Sequence, residues 1–234
     1  MQIQREFKRF MGTPVYRTIA GIGPFIALIV SVVALFVDLN QLFRFIFPGL
    51  PVQADSLMPV LPVFLFIFVG LAPASLATWS LEGKNCRTLL SHPAAKKAAF
   101  RGKILFSFLI QIPFMIIGCI LFAAAIHVPM KIVWMYFLCG VVLCLYSTFY
   151  GMLCDLTHLK TDWNRESEVF KRKSVVLLYI VLNLAITLVV VAVSFYVGFY
   201  NGVLIPLRVV TAAYAGAAVL FYILVKRAVS RLPE

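Results

Sequence analysis

Six apolar stretches dominate the sequence and leave few folds open to it. Each runs for 20 to 25 residues, Arg208 is the only Lys, Arg, Asp or Glu within them, and they cover residues 18–37, 58–80, 104–126, 132–154, 175–199 and 203–225. A hydrocarbon core about 30 Å thick needs about 20 apolar helical residues, whereas the strands of a membrane barrel alternate over about 10 residues. The pattern therefore predicts an all-α, polytopic membrane protein with six transmembrane helices, built as a single transmembrane domain over residues 1–234.

Composition excludes a water-soluble globule. The chain is 62% hydrophobic and 13% charged, whereas soluble domains carry about 25% charged residues. Too few polar groups are present to cover the apolar surface in water.

The net charge of +12 indicates membrane topology rather than nucleic-acid binding. With six spans, 18 of the 21 Lys and Arg residues lie on one side, in residues 1–17, 81–103, 155–173 and 226–234. Only Arg44, Lys131 and Arg208 lie on the other side. Because Lys and Arg concentrate in cytoplasmic loops, we predict that both termini are cytoplasmic and that no nucleic acid is a partner.

The N-terminal arm, residues 1–16, is predicted to form an amphipathic elbow helix in the membrane interface. At 100° per residue, Ile3, Phe7 and Phe10 share one face, while Arg5 and Lys8 lie opposite. The sequence Gly-Thr-Pro at 12–14 then breaks the helix before the first span. The alternative is a basic flank that only sets topology.

The sequence lacks the residues that ion coupling, ATP binding, hydrolytic catalysis and metal binding usually need. No acidic side chain lies deep within a stretch, since Asp38 and Asp155 are at the ends of theirs, and ion-coupled carriers usually bury such groups. There is no phosphate-binding loop and no zinc-protease or nucleophile-elbow motif. His92, His127 and His158 fall on opposite sides, so they predict no shared metal site. We expect no catalytic residue, no metal and no cofactor in this chain, which is therefore predicted not to be an enzyme.

Three polar residues inside the spans stand out, namely Gln111, Asn183 and Thr187. A buried amide in hydrocarbon needs a hydrogen-bond partner. Two interpretations stay open: these side chains bridge neighbouring helices, or they line a substrate pathway.

The two long inward loops carry most of the functional information. In residues 81–103, the pattern predicts a short helix through 87–90, a turn at 91–93 and a basic helix beginning at Pro93. Leu89 and Leu90 are apolar residues on this elbow, which favours a docking partner. In residues 155–173, Asn164 is a candidate helix cap ahead of Glu166.

These loops and the N-terminal arm resemble the ABC-2 type permeases of bacterial exporters, a group common in Gram-positive bacteria. The matching segments are Arg5–Phe10, then Thr13–Tyr16 with Gly23-Pro24, then Ser80-Leu-Glu-Gly-Lys-Asn85, which is similar to an S-x-E-G-K-N element. The second loop is similar to a D…K-x-N-W-x-x-E…K pattern through Asp155, Lys160, Asp162, Trp163, Glu166 and Lys171, and it departs from that pattern at Leu159, Asp162 and Arg165.

The resemblance implies a membrane subunit that works with a separate soluble ATPase, which would hold ATP and Mg²⁺. Residues 81–103 would then form the coupling helix, with docking anchors Leu89, Leu90 and His92, and with polar or positioning residues Glu82, Lys84, Asn85, Arg87 and Pro93. The chain is similar to the second six-helix half of larger relatives. A second permease chain, identical or different, is therefore an expected partner, together with membrane lipid in the bacterial cytoplasmic membrane.

A non-transporting membrane protein that serves in assembly, immunity or regulation is the alternative from another class. An ion-coupled carrier would need a buried acidic residue, which the spans do not contain. The apolar and aromatic spans favour a hydrophobic or amphipathic cargo, such as a peptide or a lipid.

Overall fold

A computed structural model describes residues 2–38, 41, 45, 62–71, 73–165, 167–170, 173–201 and 204–231. Within these residues the ordered elements are helices and no strand is present, which confirms the all-α class. The α-helices are α1 (Gln2–Gly12), α2 (Pro14–Ala34), α3 (Pro62–Val69), α4 (Asn85–Ser91), α5 (Pro93–Ile126), α6 (Met130–Thr157), α7 (Ser167–Phe170), α8 (Lys173–Asn201) and α9 (Leu204–Arg231). Two 3-10 turns, Ala74–Leu76 and Ser80–Glu82, lie between α3 and α4.

Five of these helices, α2, α5, α6, α8 and α9, are long and apolar enough to cross a membrane. The chain is therefore a multi-pass membrane protein. Helix α5 has 34 residues, so it is about 50 Å long and exceeds the hydrocarbon core. It begins at Pro93, after an extended His92, and ends at His127, which adopts the left-handed conformation with φ of 56°.

The second apolar stretch differs from the prediction of one continuous span over 58–80. In its described part, α3 ends at Val69, because Pro73 has no N–H to continue the helical hydrogen bonding. The carbonyl of Gly70 instead accepts hydrogen bonds from Tyr179 Oη at 2.6 Å and Asn183 Nδ2 at 3.2 Å, both on α8. Among the described residues, five long membrane-type helices are therefore present rather than six.

Helix α3 lies in a close contact with α2 that fixes where the bend begins. A Cβ on Gly23 of α2 would lie 2.3 Å from the backbone oxygen of Phe68, so only glycine allows this approach. Buried residues of α3, α5, α6, α8 and α9 form the main core, and α6 packs most extensively against α9. Two smaller buried clusters, around Trp79 and around Tyr16, hold the ends of α5 and α6 that carry the site described below.

Helix α1 contacts the rest of the protein through a side that is not purely apolar. Glu6 is its buried residue, and Phe10 packs edge-on against Tyr16 and Phe106. Phe7 and Met11 are exposed, at 54% and 48%. One side of α1 therefore contacts the protein through a carboxylate and a ring, while Phe7 and Met11 face outward.

Candidate functional site

The most unusual backbone in the described residues is a buried, non-α segment, residues 73–83, which we name the bent segment. Every residue in it is buried. It runs through two 3-10 turns and ends at Gly83, whose φ is +55°. Because a buried backbone without α-helical hydrogen bonds must find other partners, the site is best understood from the side chains that supply them.

Asp155, near the end of α6, supplies the densest of these contacts. Its Oδ2 accepts hydrogen bonds from the backbone N–H groups of Trp79 at 2.7 Å and Ser80 at 3.1 Å. Its Oδ1 accepts from the hydroxyl of Ser80. A carboxylate that accepts three hydrogen bonds is strongly held in place, so Asp155 fixes the middle of the bent segment to α6.

Two other side chains fix the beginning of the bent segment. Ser107 Oγ on α5 accepts the backbone N–H of Ser75 at 3.1 Å. Tyr16 Oη on α2 donates to the carbonyl of Ala74 at 3.0 Å. The bent segment is thus bound to three long helices, α2, α5 and α6.

A group of ionised side chains, which we name the charged cluster, lies at the end of the bent segment. Its members are Arg5, Glu6, Arg9, Glu82 and Lys103. Lys103 is 1% exposed, and its Nζ lies 2.7 Å from Glu6 Oε1, 2.7 Å from Glu82 Oε1 and 2.7 Å from the Thr78 carbonyl. Its ammonium also lies 5.3 Å from the centre of the Trp79 ring, a cation–π distance.

The remaining carboxylate oxygens of the charged cluster are engaged by the two arginines. Arg9 contacts Glu82 Oε2 at 3.0 Å and Glu6 Oε2 at 3.5 Å, and Arg5 also pairs with Glu82 Oε2. All four carboxylate oxygens therefore have a cationic partner. This arrangement suits a joint between elements better than a site for a coupling ion, which needs unoccupied ligand oxygens.

The electrostatics of Glu82 agree with a permanently ionised joint. Burial by itself would raise the pKa of Glu82, but the Lys103 ammonium and the Arg9 guanidinium together outweigh that effect and lower the pKa to about 2. Glu82 is therefore a carboxylate at neutral pH, and the neighbouring cations Lys103 and Arg9 balance its charge inside the protein.

Lys103 belongs to a polar stripe along one face of α5. Lys103, Ser107 and Gln111 are spaced by four residues, which places them on the same face of a helix. Each is bonded to a different neighbour, and Gln111 Oε1 accepts the hydroxyl of Ser147 on α6 at 2.8 Å. The stripe therefore connects the charged cluster with the contact between α5 and α6.

The second of the two predicted functional loops, residues 155–173, contacts the bent segment through Trp163. Trp163 Nε1 donates to the carbonyl of Ser80 at 2.8 Å, and its ring lies so close to Gly83 that a Cβ there would be 2.9 Å from Cζ2. The backbone N–H of Lys160 also donates to Ser80 Oγ at 3.2 Å. The two loops predicted to be functional are thus in direct contact.

The residues predicted to couple to an ATPase occupy three kinds of position. Glu82 is buried in the charged cluster, whereas Lys84, Asn85 and His92 are exposed on the adjoining turn and helix. Leu89 is partly buried against a small core that contains Trp79. Arg87 and Leu90 lie in α4 and Pro93 begins α5, but the side chains of these three lie outside the described part.

The two acidic residues of the second loop have separate outcomes. Asp162 is exposed, and Glu166 lies outside the described residues. Trp163, which lies between them in the sequence, contacts the bent segment.

The three candidate pathway residues all lie at contacts between helices in this structure. Gln111, Asn183 and Thr187 are buried. Thr187 Oγ1 donates to the carbonyl of Asn183 at 2.8 Å and accepts the hydroxyl of Tyr214 at 3.0 Å. Asn183 and Thr187 are thus joined on α8, while Gln111 is bonded between α5 and α6, so a pathway lining stays a prediction.

Sequence reasoning missed Glu6 and Lys103 as members of a site. It assigned Lys103 to a basic loop, and it gave Glu6 no role beyond its place in the N-terminal segment that carries the resemblance. The spacing of Lys103, Ser107 and Gln111 was the available signal, because a lone cation in line with buried polar residues marks a protein-facing position.

Comparisons with protein-family models, curated proteins and solved structures return no match. In the described residues, no three His, Cys, Asp or Glu side chains are grouped closely enough to hold a metal ion. The geometry of the bent segment and the charged cluster is therefore the basis for assigning a function.

Proposed function

We propose that this chain is the permease subunit of an ATP-driven exporter of the ABC type, in the bacterial cytoplasmic membrane. It would cross the membrane six times with both termini in the cytoplasm. A separate soluble ATPase would hold ATP and Mg²⁺, and a second permease chain would complete the pathway. The cargo would be hydrophobic or amphipathic, such as a peptide or a lipid.

One observation carries this proposal: the two sequence elements that resemble exporter permeases meet in a single site. Ser80 and Gly83 of the first element contact Asp155 and Trp163 of the second, across more than 70 residues of sequence. Segments that resemble one family's motifs only by chance have no reason to share hydrogen bonds. Their contact supports a common function.

The position of α4 supports a coupling role. This helix follows Glu82 after two residues and leads through His92 into α5. Glu82 is bound to Lys103 on α5, and the bent segment before it is bound to Asp155 on α6. A partner that displaces α4 would therefore act directly on two long membrane helices, which is how ATP-driven closure of an ATPase would open the pathway.

The proposal is tested by purifying the tagged chain from its native membrane and identifying what accompanies it. We expect an ATPase and a second permease chain. A partner without an ATP-binding site would contradict the exporter and favour a non-transporting interaction protein.

A variant pair tests the assignment of α4. The double variant Leu89→Glu, Leu90→Glu should release the ATPase or abolish cargo-stimulated ATP hydrolysis, because it introduces two charges into the apolar contact. Met130→Glu is the matched control, since Met130 is an exposed apolar residue at the start of α6, outside this site. Gel filtration of both proteins checks the fold. Unchanged copurification and unchanged hydrolysis in the double variant would refute the role of α4.

The cargo class has its own test. ATP hydrolysis by the purified complex should be stimulated by amphipathic peptides or lipids. Stimulation by small hydrophilic solutes alone would contradict the expected cargo.

A further inference from the structure

A cavity of about 450 Å³ lies between α1 on one side and α4 with the start of α5 on the other. Helix α1 contributes Arg5 and Arg9 to its wall, α4 contributes Asn85, Thr88 and Leu89, and α5 contributes Ala95. A volume of this size is in the range of small-ligand sites. We name it the elbow cavity.

The charge around the elbow cavity favours an anion. Glu82 also lines it and is negative. The charged cluster as a whole nevertheless carries one net positive charge, because it contains three cations (Arg5, Arg9 and Lys103) and two carboxylates (Glu6 and Glu82). The Arg5 side chain is 43% exposed, and among the described residues it bonds to Glu82 through Nη2 alone. A guanidinium has five N–H donors, so Arg5 can bind a second anionic group while it keeps its contact with Glu82.

The other wall residues suit a phosphate that carries an apolar remainder. Asn85 and Thr88 are exposed and supply an amide and a hydroxyl as further donors. Leu89 and Ala95 form an apolar side. Arginine binds phosphate oxygens in pairs, and the apolar side would contact a glycerol and the first acyl carbons.

The position of the elbow cavity relative to the membrane indicates the source of that phosphate. Helix α1 exposes Phe7 and Met11 on its outer side, and α2 continues this apolar surface with Phe25 and Ile29. A helix with such a surface and basic residues beside it lies at the boundary between acyl chains and headgroups. We therefore expect lipid phosphates at the level of Arg5.

We propose that the elbow cavity binds the phosphate of one anionic phospholipid, with Arg5 as its main contact and Arg9, Asn85 and Thr88 as supporting donors. The bound lipid would connect α1 to α4. This assignment does not depend on the exporter function, because it rests on the cavity and on the membrane location alone.

The test measures how many lipids stay bound when the purified protein, loaded with phosphatidylglycerol, is diluted into a neutral detergent. Native mass spectrometry should show one phosphatidylglycerol per chain, and none after loading with phosphatidylcholine. Arg5→Gln should weaken retention about tenfold or more, the loss expected for a hydrogen bond between charged groups. Lys8→Gln is the matched control, because it removes the same charge from an exposed position on the same helix.

A second variant removes the space and not the charge. Ala95→Leu should also lose the lipid, and it keeps the test valid if Arg5→Gln does not fold. If Lys8→Gln and Arg5→Gln lose equal amounts of bound phosphatidylglycerol, the lipid is held by general electrostatic attraction to the basic surface, and the proposed site is refuted. Retention in Ala95→Leu would also overturn it. If inorganic phosphate at matched ionic strength displaces the lipid and raises the melting temperature to the same extent, the site binds free phosphate and the lipid assignment fails.

Discussion

Lys103 is the residue whose replacement tests the charged cluster most directly. Lys103→Met keeps a long unbranched side chain at a fully buried position and removes the ammonium. Three acceptors then lose their donor: Glu6 Oε1, Glu82 Oε1 and the Thr78 carbonyl. Two of these acceptors are buried carboxylates, so the variant leaves uncompensated negative charge inside the protein.

The expected cost follows from this geometry. Removing one partner of a buried ion pair typically destabilises a protein by about 3–5 kcal/mol. Arg5 and Arg9 still contact Oε2 of Glu82, so we expect the lower half of that range, about 3–4 kcal/mol. For a chain of this length the loss corresponds to a melting temperature lower by roughly 6–16 °C.

The assay is thermal unfolding of the purified protein in a neutral detergent. Lys97→Met is the matched control, because Lys97 is exposed on the same helix and should change stability by no more than about 0.5 kcal/mol. The melting temperature of Lys103→Arg should lie between those of Lys103→Met and Lys97→Met, since it keeps the charge but changes the donor geometry. A Lys103→Met protein as stable as Lys97→Met would refute the conclusion that the charged cluster is a closed, buried network.

Acid sensitivity provides a second readout of the same network. The pKa of Glu82 is lowered from 4.5 to about 2, so its contribution to stability is present above pH 4.5 and is lost as the pH falls towards 2. In Lys103→Met the largest remaining cause is burial, which raises the pKa of Glu82. Because the gap between the unfolded and folded pKa of Glu82 is then smaller, we expect the variant to lose less stability between pH 4.5 and 2 than the parent protein loses. Acid unfolding curves that superimpose after normalisation would contradict this coupling.

Three further substitutions test the rest of the site. Asp155→Ala should destabilise the protein by about 3 kcal/mol, because buried donors of the bent segment lose their acceptor, whereas Ala at the exposed Asp162 should be nearly neutral in the same melting assay. Gly83→Ala should cost about 1–3 kcal/mol, since φ of +55° strains any other residue; Gly12→Ala, which meets no atom within 4 Å, should cost less than half as much in thermal unfolding. Tyr179→Phe removes one of two donors to the Gly70 carbonyl and should lower stability by about 1 kcal/mol, and an unchanged melting temperature would show that this bond contributes nothing.

Much of the helical organisation could be predicted from sequence, because long apolar runs and prolines act locally. The break after Gly12 and the beginning of α5 at Pro93 follow from the proline ring alone. The bent segment could not be predicted, because residues 73–80 carry no charged side chain and continue an apolar stretch. Its shape depends instead on donors and acceptors from other helices. Lys103 was misplaced for the same reason, since a cation at the end of an apolar stretch looks the same in sequence whether it meets water or two carboxylates.

The pairing of Glu6 with Lys103 also has a consequence for biosynthesis. The two residues are separated by 97 positions, so at about 5–20 residues per second the ribosome needs about 5–20 s to deliver the partner of Glu6. During that time α1 and α2 have already been made, and Glu6 lacks its Lys103 partner. Helix α1 therefore completes its buried ion pairs only after the start of α5 has been made, and a chain stalled before residue 103 leaves the carboxylate of Glu6 without its lysine partner.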